Sequence, residues 1–212
     1  VDSEDLQLNV SRETLQKDVV VTKMRQAITR RVLDELERIA KRHREGADDA
    51  PDYDQFWSQF GAVLKEGLYE DQDNRERLLQ LARFRSTKSD GWVSLADYVA
   101  RMKEGQEAIL TIAGDNLASL KSSPQLEQAR AKDVEVLLLT DAIDDFWLPM
   151  AGTFEDKPFK SLTRDAVDLS KIGEADTAEE EKAEDDPALD RLVAHMKVTL
   201  GDAVKDVRRS KR

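Results

Sequence analysis

Residues 107–140, EAILTIAGDNLASLKSSPQLEQARAKDVEVLLLT, decide the fold. Ala108–Ala113 and Val134–Leu139 are compact apolar runs in which β-branched residues recur. Runs that are apolar at nearly every position, rather than every second one, read as strands covered on both faces, the signature of a parallel sheet. Between them, Ser123-Pro124 sets a capping serine before a proline at the first helical position, which predicts a short helix. Such a strand–helix–strand unit predicts parallel strands joined by a right-handed crossover. Gly114-Asp115-Asn116 supplies turn chemistry after the first strand. Neither GxGxxG nor GxxxxGKS/T occurs there, so no phosphate cradle is read in this chain.

Working outward, a helix is predicted near Ile143–Met150 and a further strand at Phe159–Leu162. On the other side, Ser94 with Asp97 resembles a capping box and starts a helix through Met102. Residues 84–173 therefore read as a small three-layer α/β domain. Upstream, residues 17–83 read as a helical coil. Its first helix runs from about Glu13 to Arg44, with Val21, Met24, Ile28, Val32, Leu36 and Ile39 as its apolar face. The second follows Pro51, placed in its first turn, with Phe56, Trp57, Phe60, Val63, Leu64 and Leu68 as the buried stripe. A third covers about Asn74–Ala82. Residues 174–186 are acidic and poor in large apolar side chains, which reads as a linker. Asp186-Pro187 then caps a helix with the stripe Leu189, Leu192, Val193, Met196 and Leu200, ended by Gly201 and followed by a strand at Ala203–Val207. A lone strand is not stable. The chain is therefore expected to be a piece of a longer protein.

Composition narrows the function. The chain has 212 residues and a net charge of −11, against the basic footprint that nucleic-acid coating requires. It has no cysteine, which removes disulfides, thiolate metal sites and a cysteine nucleophile. No apolar run approaches the roughly 20 residues of a membrane span, and no signal peptide is visible, so a cytoplasmic protein with neither membrane nor nucleic acid as partner is expected. Only His43 and His195 occur, far apart, and neither is given a metal role. The helix from Lys23 to Arg44 carries eight basic and three acidic residues. It reads as a solvated face whose arginines pair with acids, in preference to a binding surface.

Five stretches, DLQLNVSRETLQ, YEDQDNRERLLQLARFRST, YVARMKEGQEAILTIAGDN, SPQLEQARAKDVEVLLLTDAIDDF and FEDKPFKSL, resemble in order the middle segment of the bacterial 90-kDa heat-shock chaperones. The resemblance implies part of an ATP-dependent molecular chaperone of the stress response, homodimeric at full length, that helps fold or remodel unfolded client proteins. ATP and Mg would be bound by an N-terminal domain outside this chain. Residues 1–16 would be the catalytic loop at the end of a larger lobe, and residues 187–212 the start of the dimerisation domain. The arginine of the family's N-x-S-R-E motif, which reaches the ATP γ-phosphate, matches Arg12. Asn9 and Gln16 match the residues that support that loop. A planar, permanently charged guanidinium suits the charge spread over the γ-phosphate oxygens. Without the resemblance, Arg12 reads as an arginine pairing with Glu13 or Asp18 at a helix start. The chain alone is expected to be inactive towards ATP.

Asp144-Asp145-Phe146-Trp147 sets acids beside two adjacent aromatics. Helical neighbours diverge by about 100°, so one ring should be core and the other exposed. The same divergence disfavours Asp144 and Asp145 as a catalytic carboxylate pair. The resemblance implies an acidic–aromatic client contact at Asp145, Phe146 and Trp147, although the family's usual tryptophan position is Phe146 here, with Trp147 one residue later. A reading from a different class is a non-catalytic protein-interaction scaffold.

Overall fold

The computed structural model describes residues 19–47, 51–165, 167, 169, 172 and 187–200. The loop 1–16, the acidic stretch 174–186 and the strand expected at 203–207 lie outside the described residues.

Three helices come first: α1 (Val19–Arg44), α2 (Tyr53–Glu70) and α3 (Arg75–Leu81), the last entered through a single 3-10 turn, Gln72–Asn74. Asp52 caps α2, its carboxylate accepting the N–H groups of Asp54 and Gln55. Pro51 therefore stands just outside the helix rather than in its first turn. The buried face of α2 is Tyr53, Trp57, Gly61, Lys65 and Leu68. Phe60 and Val63 are exposed, which corrects the predicted stripe. Gly61 is part of the reason: the Trp57 indole lies across it, and an added Cβ would stand 2.7 Å from the ring. On α1, Leu33, Leu36 and Ala40 are buried, whereas Ile28 and Val32 of the predicted face are exposed. Arg77 of α3 sets that rotation, donating to Asp34 and Glu37 on the neighbouring turn of α1. The basic face of α1 is partly paired, Arg38 with Glu35, Lys41 with Glu45 and Arg44 with Asp97.

The chain then builds β1 (Arg83–Ser86), β2 (Val93–Ser94) and α4 (Leu95–Ala100), whose first turn is capped by Ser94 as predicted. Next come β3 (Ile109–Ala113), α5 (Leu117–Lys121), the 3-10 turn Pro124–Leu126 capped by Ser123, α6 (Glu127–Ala131) and β4 (Leu137–Leu139). The expected turn at Asn116 is also the cap of α5. The fold closes with α7 (Asp144–Trp147), β5 (Thr153–Phe154) and β6 (Lys157–Ser161), and α8 spans Pro187–Leu200, with Leu192 and Met196 of its stripe exposed.

The six strands form one sheet in the order β2-β1-β4-β3-β6-β5. β3 runs parallel to both β4 and β6, while the outer strands pair antiparallel. Alternate side chains of the central strands enter two different cores. Ile109, Leu137 and Leu139 join Trp57, Leu79, Phe84, Tyr98 and Trp147 on the side of α1–α4 and α7. Leu110, Ile112 and Leu138 join Leu120, Leu126 and Ala129 on the side of α5 and α6. Both faces are covered, so the central strands are apolar at every position but Thr111. The first core runs without a break from Leu33 of α1 to Phe154 of β5.

The β5–β6 hairpin turns on Glu155 and Asp156, with φ of 47° and 61°. Two consecutive left-handed residues make the type I′ geometry that favours glycine at the second position. Asp156→Gly is expected to raise stability by about 0.5–1 kcal/mol, or roughly 2 °C in Tm. A thermal melt with an unchanged or lower Tm would show that the Asp156 carboxylate contributes more than its backbone costs.

Candidate functional site

The site is organised by a buried cation. Lys65 lies in the phase of the buried face of α2 and is only 4% exposed. Its Nζ stands 2.8 Å from Asp141 Oδ2 and 2.9 Å from Asp144 Oδ1, and lies 5.0 Å from the centre of the Phe84 ring. Asp144 is 1% exposed and accepts two further bonds, from the Trp147 indole N–H at 2.7 Å and the Asp141 backbone N–H at 3.1 Å. A buried carboxylate is tolerable only when paired and hydrogen-bonded. Both oxygens of Asp144 meet that condition.

This network fixes the register of α7. Asp144 and Trp147 are three residues apart and share one helix face, which is held inward. Trp147 is wholly buried, tilted against Phe84 at 5.9 Å and edge-on to Phe159 at 5.7 Å between ring centres. Asp145 and Phe146 must then face outward. Asp145 is exposed and accepts a bond from Arg164 Nη2 at 2.7 Å. The Phe146 ring is 59% exposed and meets Tyr69 of α2 edge-on, 6.2 Å between centres, with Tyr69 itself 43% exposed. Met150, also exposed, is tied to the same region, since Arg75 donates to its carbonyl and to that of Leu68. The result is an aromatic ledge beside a paired acid. It can hold an apolar segment by ring contact.

Of the residues singled out from the sequence, Asp145 and Phe146 stand together on the surface. Trp147 presents no contact area of its own; it holds the ledge from beneath. Asn9, Arg12 and Gln16 lie outside the described residues. Among the described residues, no group of three or more His, Cys, Asp or Glu side chains gathers as a metal site, and no helix is long and apolar enough to cross a membrane. Sequence reasoning missed Lys65 and Tyr69, and assigned Asp144 no structural part. One signal was available: Lys65 follows Trp57 and Gly61 at steps of four, so a charge falls on the inner face. A lysine in that phase calls for a buried acid.

The family model described as Hsp90 protein matches residues 1–212. The chaperone protein HtpG of Roseobacter denitrificans is 54% identical over 215 residues, covering 100% of this chain and 33% of that protein. HtpG of Paramagnetospirillum magneticum is 51% identical over 214 residues, and that of Mesorhizobium japonicum 50% over 213, each with the same coverage. The chain thus spans about a third of the length of the curated relatives it matches.

Lys65→Met should destabilise by about 3–5 kcal/mol, because it leaves the Asp144 charge buried without its partner. Adding Asp144→Asn removes that charge and keeps an acceptor for the indole, so the double variant should lose less than Lys65→Met alone. Trp147→Ala should cost about 3–5 kcal/mol and Phe146→Ala within about 1 kcal/mol. Urea unfolding measures all four; equal losses at Phe146 and Trp147 would overturn the inward–outward assignment.

Proposed function

This chain belongs to the Hsp90 protein family, and from that premise we propose that it works as part of an ATP-dependent molecular chaperone. In this reading it supplies two things to the full-length protein: an arginine for the nucleotide and a surface for client proteins. ATP with Mg is held by the N-terminal domain of the full-length homodimer, in the cytoplasm. Arg12 reaches the γ-phosphate from the catalytic loop, with Asn9 and Gln16 supporting that loop. The charge of the guanidinium stabilises the transferring phosphoryl group and the closed arrangement of the domains.

The observation that carries the client part is the placement of Phe146. A large ring stays exposed beside Tyr69 because its neighbour Trp147 is locked inward by Asp144 and Lys65. Rigid exposed aromatics give a large contact area with little conformational entropy to lose. They suit unfolded or partly folded proteins, whose apolar segments vary in sequence and need no fixed hydrogen-bond pattern.

In the full-length protein, Arg12→Ala should lower ATP turnover about tenfold or more while nucleotide affinity stays near the parental value. Arg12→Lys should rescue little, since an ammonium lacks the planar fork. Parental turnover in Arg12→Ala removes the assigned role. Phe146→Ala should weaken the binding of an unfolded client about fivefold or more, the effect of losing an anchoring ring, without altering ATP turnover in the absence of client. Unchanged client affinity in a folded Phe146→Ala protein would leave the ledge without its proposed role.

A further inference from the structure

Between α3 and β5 lies a hollow of about 500 Å³, lined in part by Arg75 and Glu76 on the helix side and by Ala151, Thr153, Glu155 and Asp156 on the strand side. It continues the aromatic ledge: Ala151 follows the exposed Met150, and Arg75 Nη1 donates to the Met150 carbonyl at 3.0 Å. Its charge is one-sided. The lining holds three carboxylates, Glu76, Glu155 and Asp156, and one cation, Arg75. The three acids are exposed, and their side chains have neither an ion partner nor a hydrogen bond among the described residues. Arg75 makes no ion pair with them, since its Nε and Nη1 donate to the carbonyls of Leu68 and Met150. Its Nη2 is buried and has no acceptor among the described residues. A buried donor left unpaired is costly, so Nη2 favours any acceptor brought to it.

The strand side of the hollow is an open edge. β5 ends the order of the sheet and pairs only with β6. Phe154 and Lys157 flank the two-residue turn, so they form the hydrogen-bonded pair of the hairpin, and the backbone groups of Phe154 face β6. Alternation then turns the N–H and C=O of Thr153 away from β6. Thr153 is exposed, and these two groups meet no other segment among the described residues. An unpaired edge of this kind takes a further strand through its main chain. The opposite edge of the sheet offers no equivalent, because both residues of β2 are buried.

We propose that this groove takes an extended, basic segment of a client protein, one in which an apolar run adjoins a stretch with lysine or arginine at every second position. The proposal rests on the client reading above and narrows it to a class of sequence. The apolar run lies on Phe146, Tyr69 and Met150, and the basic stretch continues past Ala151 into the hollow. There its main chain pairs with the N–H and C=O of Thr153, and one of its carbonyls accepts from Arg75 Nη2. A strand sends alternate side chains to one face, so cations at every second position point together towards Glu76, Glu155 and Asp156. Each exposed ion pair contributes little. Three of them, on a segment already held by the ledge and by main-chain bonds, are enough to set a preference.

The test measures binding of fluorescein-labelled peptides to the full-length protein by anisotropy. Each peptide has a first half of Leu and Phe and a second half in which Thr alternates with Lys, with Gln or with Glu. At low salt the Lys peptide should bind about fivefold or more tightly than the Gln peptide, and the Glu peptide more weakly than either. The differences should shrink towards equality at about 1 M salt, where the screening length is about 3 Å. Glu76→Gln/Glu155→Gln should abolish the preference for lysine while leaving affinity for the Gln peptide unchanged. A Lys peptide N-methylated on its Thr residues cannot donate from those positions and should bind more weakly than its parent. Phe146→Ala should weaken all three unmodified peptides and keep their ratios. Equal affinity of the three for the parental protein, with Phe146→Ala still weakening them, overturns the groove and leaves the ledge standing. A lysine preference that survives in Glu76→Gln/Glu155→Gln, or undiminished binding of the N-methylated peptide, also overturns the groove. Unchanged affinities in Phe146→Ala instead remove the ledge reading.

Discussion

A single buried ion pair sets the geometry on which the aromatic side of this molecule depends. Lys65 reaches from α2 into the layer between helices and sheet and meets Asp144 at the head of α7. Either charge alone would be untenable there, because desolvating an unpaired ion costs several kcal/mol. Together, with the indole N–H of Trp147 and the backbone N–H of Asp141 on the same carboxylate, they are satisfied only in one arrangement. That arrangement ties α2 to the turn after β4. Apolar packing could accept several rotations of a one-turn helix such as α7. The hydrogen-bond geometry of Asp144 does not, and it thereby decides which aromatic enters the core.

A second polar device works at the other joint between helices and sheet. Arg83 begins β1 in a buried position, with its guanidinium over the Tyr53 ring at 4.7 Å and donating to the carbonyls of Leu81 and Ala82. The Tyr53 hydroxyl donates to the same Leu81 carbonyl. The carbonyls freed as α3 ends are thus taken up by side chains from α2 and β1 rather than by water. Burial pushes the Tyr53 hydroxyl pKa up to about 12, so it remains a neutral donor throughout the physiological range. Lys65 and Arg83 both lie in an interface that is otherwise aromatic and aliphatic, and each is held against a ring.

These buried cations explain where the sequence could and could not be read. The parallel pair β3 and β4 was legible because both strands are covered on both faces, which leaves an apolar signature interrupted only at Thr111. The serine caps at Ser94 and Ser123 were legible because capping is local chemistry. β1 was not, since its sequence, RFRS, places arginine and serine at buried positions and no hydrophobic period survives. The stripe of α2 was legible at Phe56, Trp57, Leu64 and Leu68 but misassigned at Phe60 and Val63, for a related reason. Gly61 and Lys65 occupy inner positions while Phe60 and Val63 lie outside, so at these four positions hydrophobicity misreports the inner face. The aromatic pair was readable as one ring in and one out from helix geometry alone. Which ring went inward depended on Lys65, 82 residues before Trp147, a partnership no local pattern records.

The two faces of the sheet differ in what they leave exposed. On the helical side the surface carries Phe146, Tyr69 and Met150 near the α2–α7 contact, an apolar ledge beside Asp145, which pairs with Arg164. On the α5–α6 side it carries lysines and an arginine around Asp133. A ledge for apolar segments must hold its rings out against their own tendency to bury. That tendency is strongest for a ring on a short helix, which is free to roll. The same pair that excludes Trp147 from the surface also prevents the roll that would hide Phe146. Exposure of Phe146 is therefore a consequence of charge satisfaction in the core, and a contact surface made in this way stays rigid without needing a partner to hold it open.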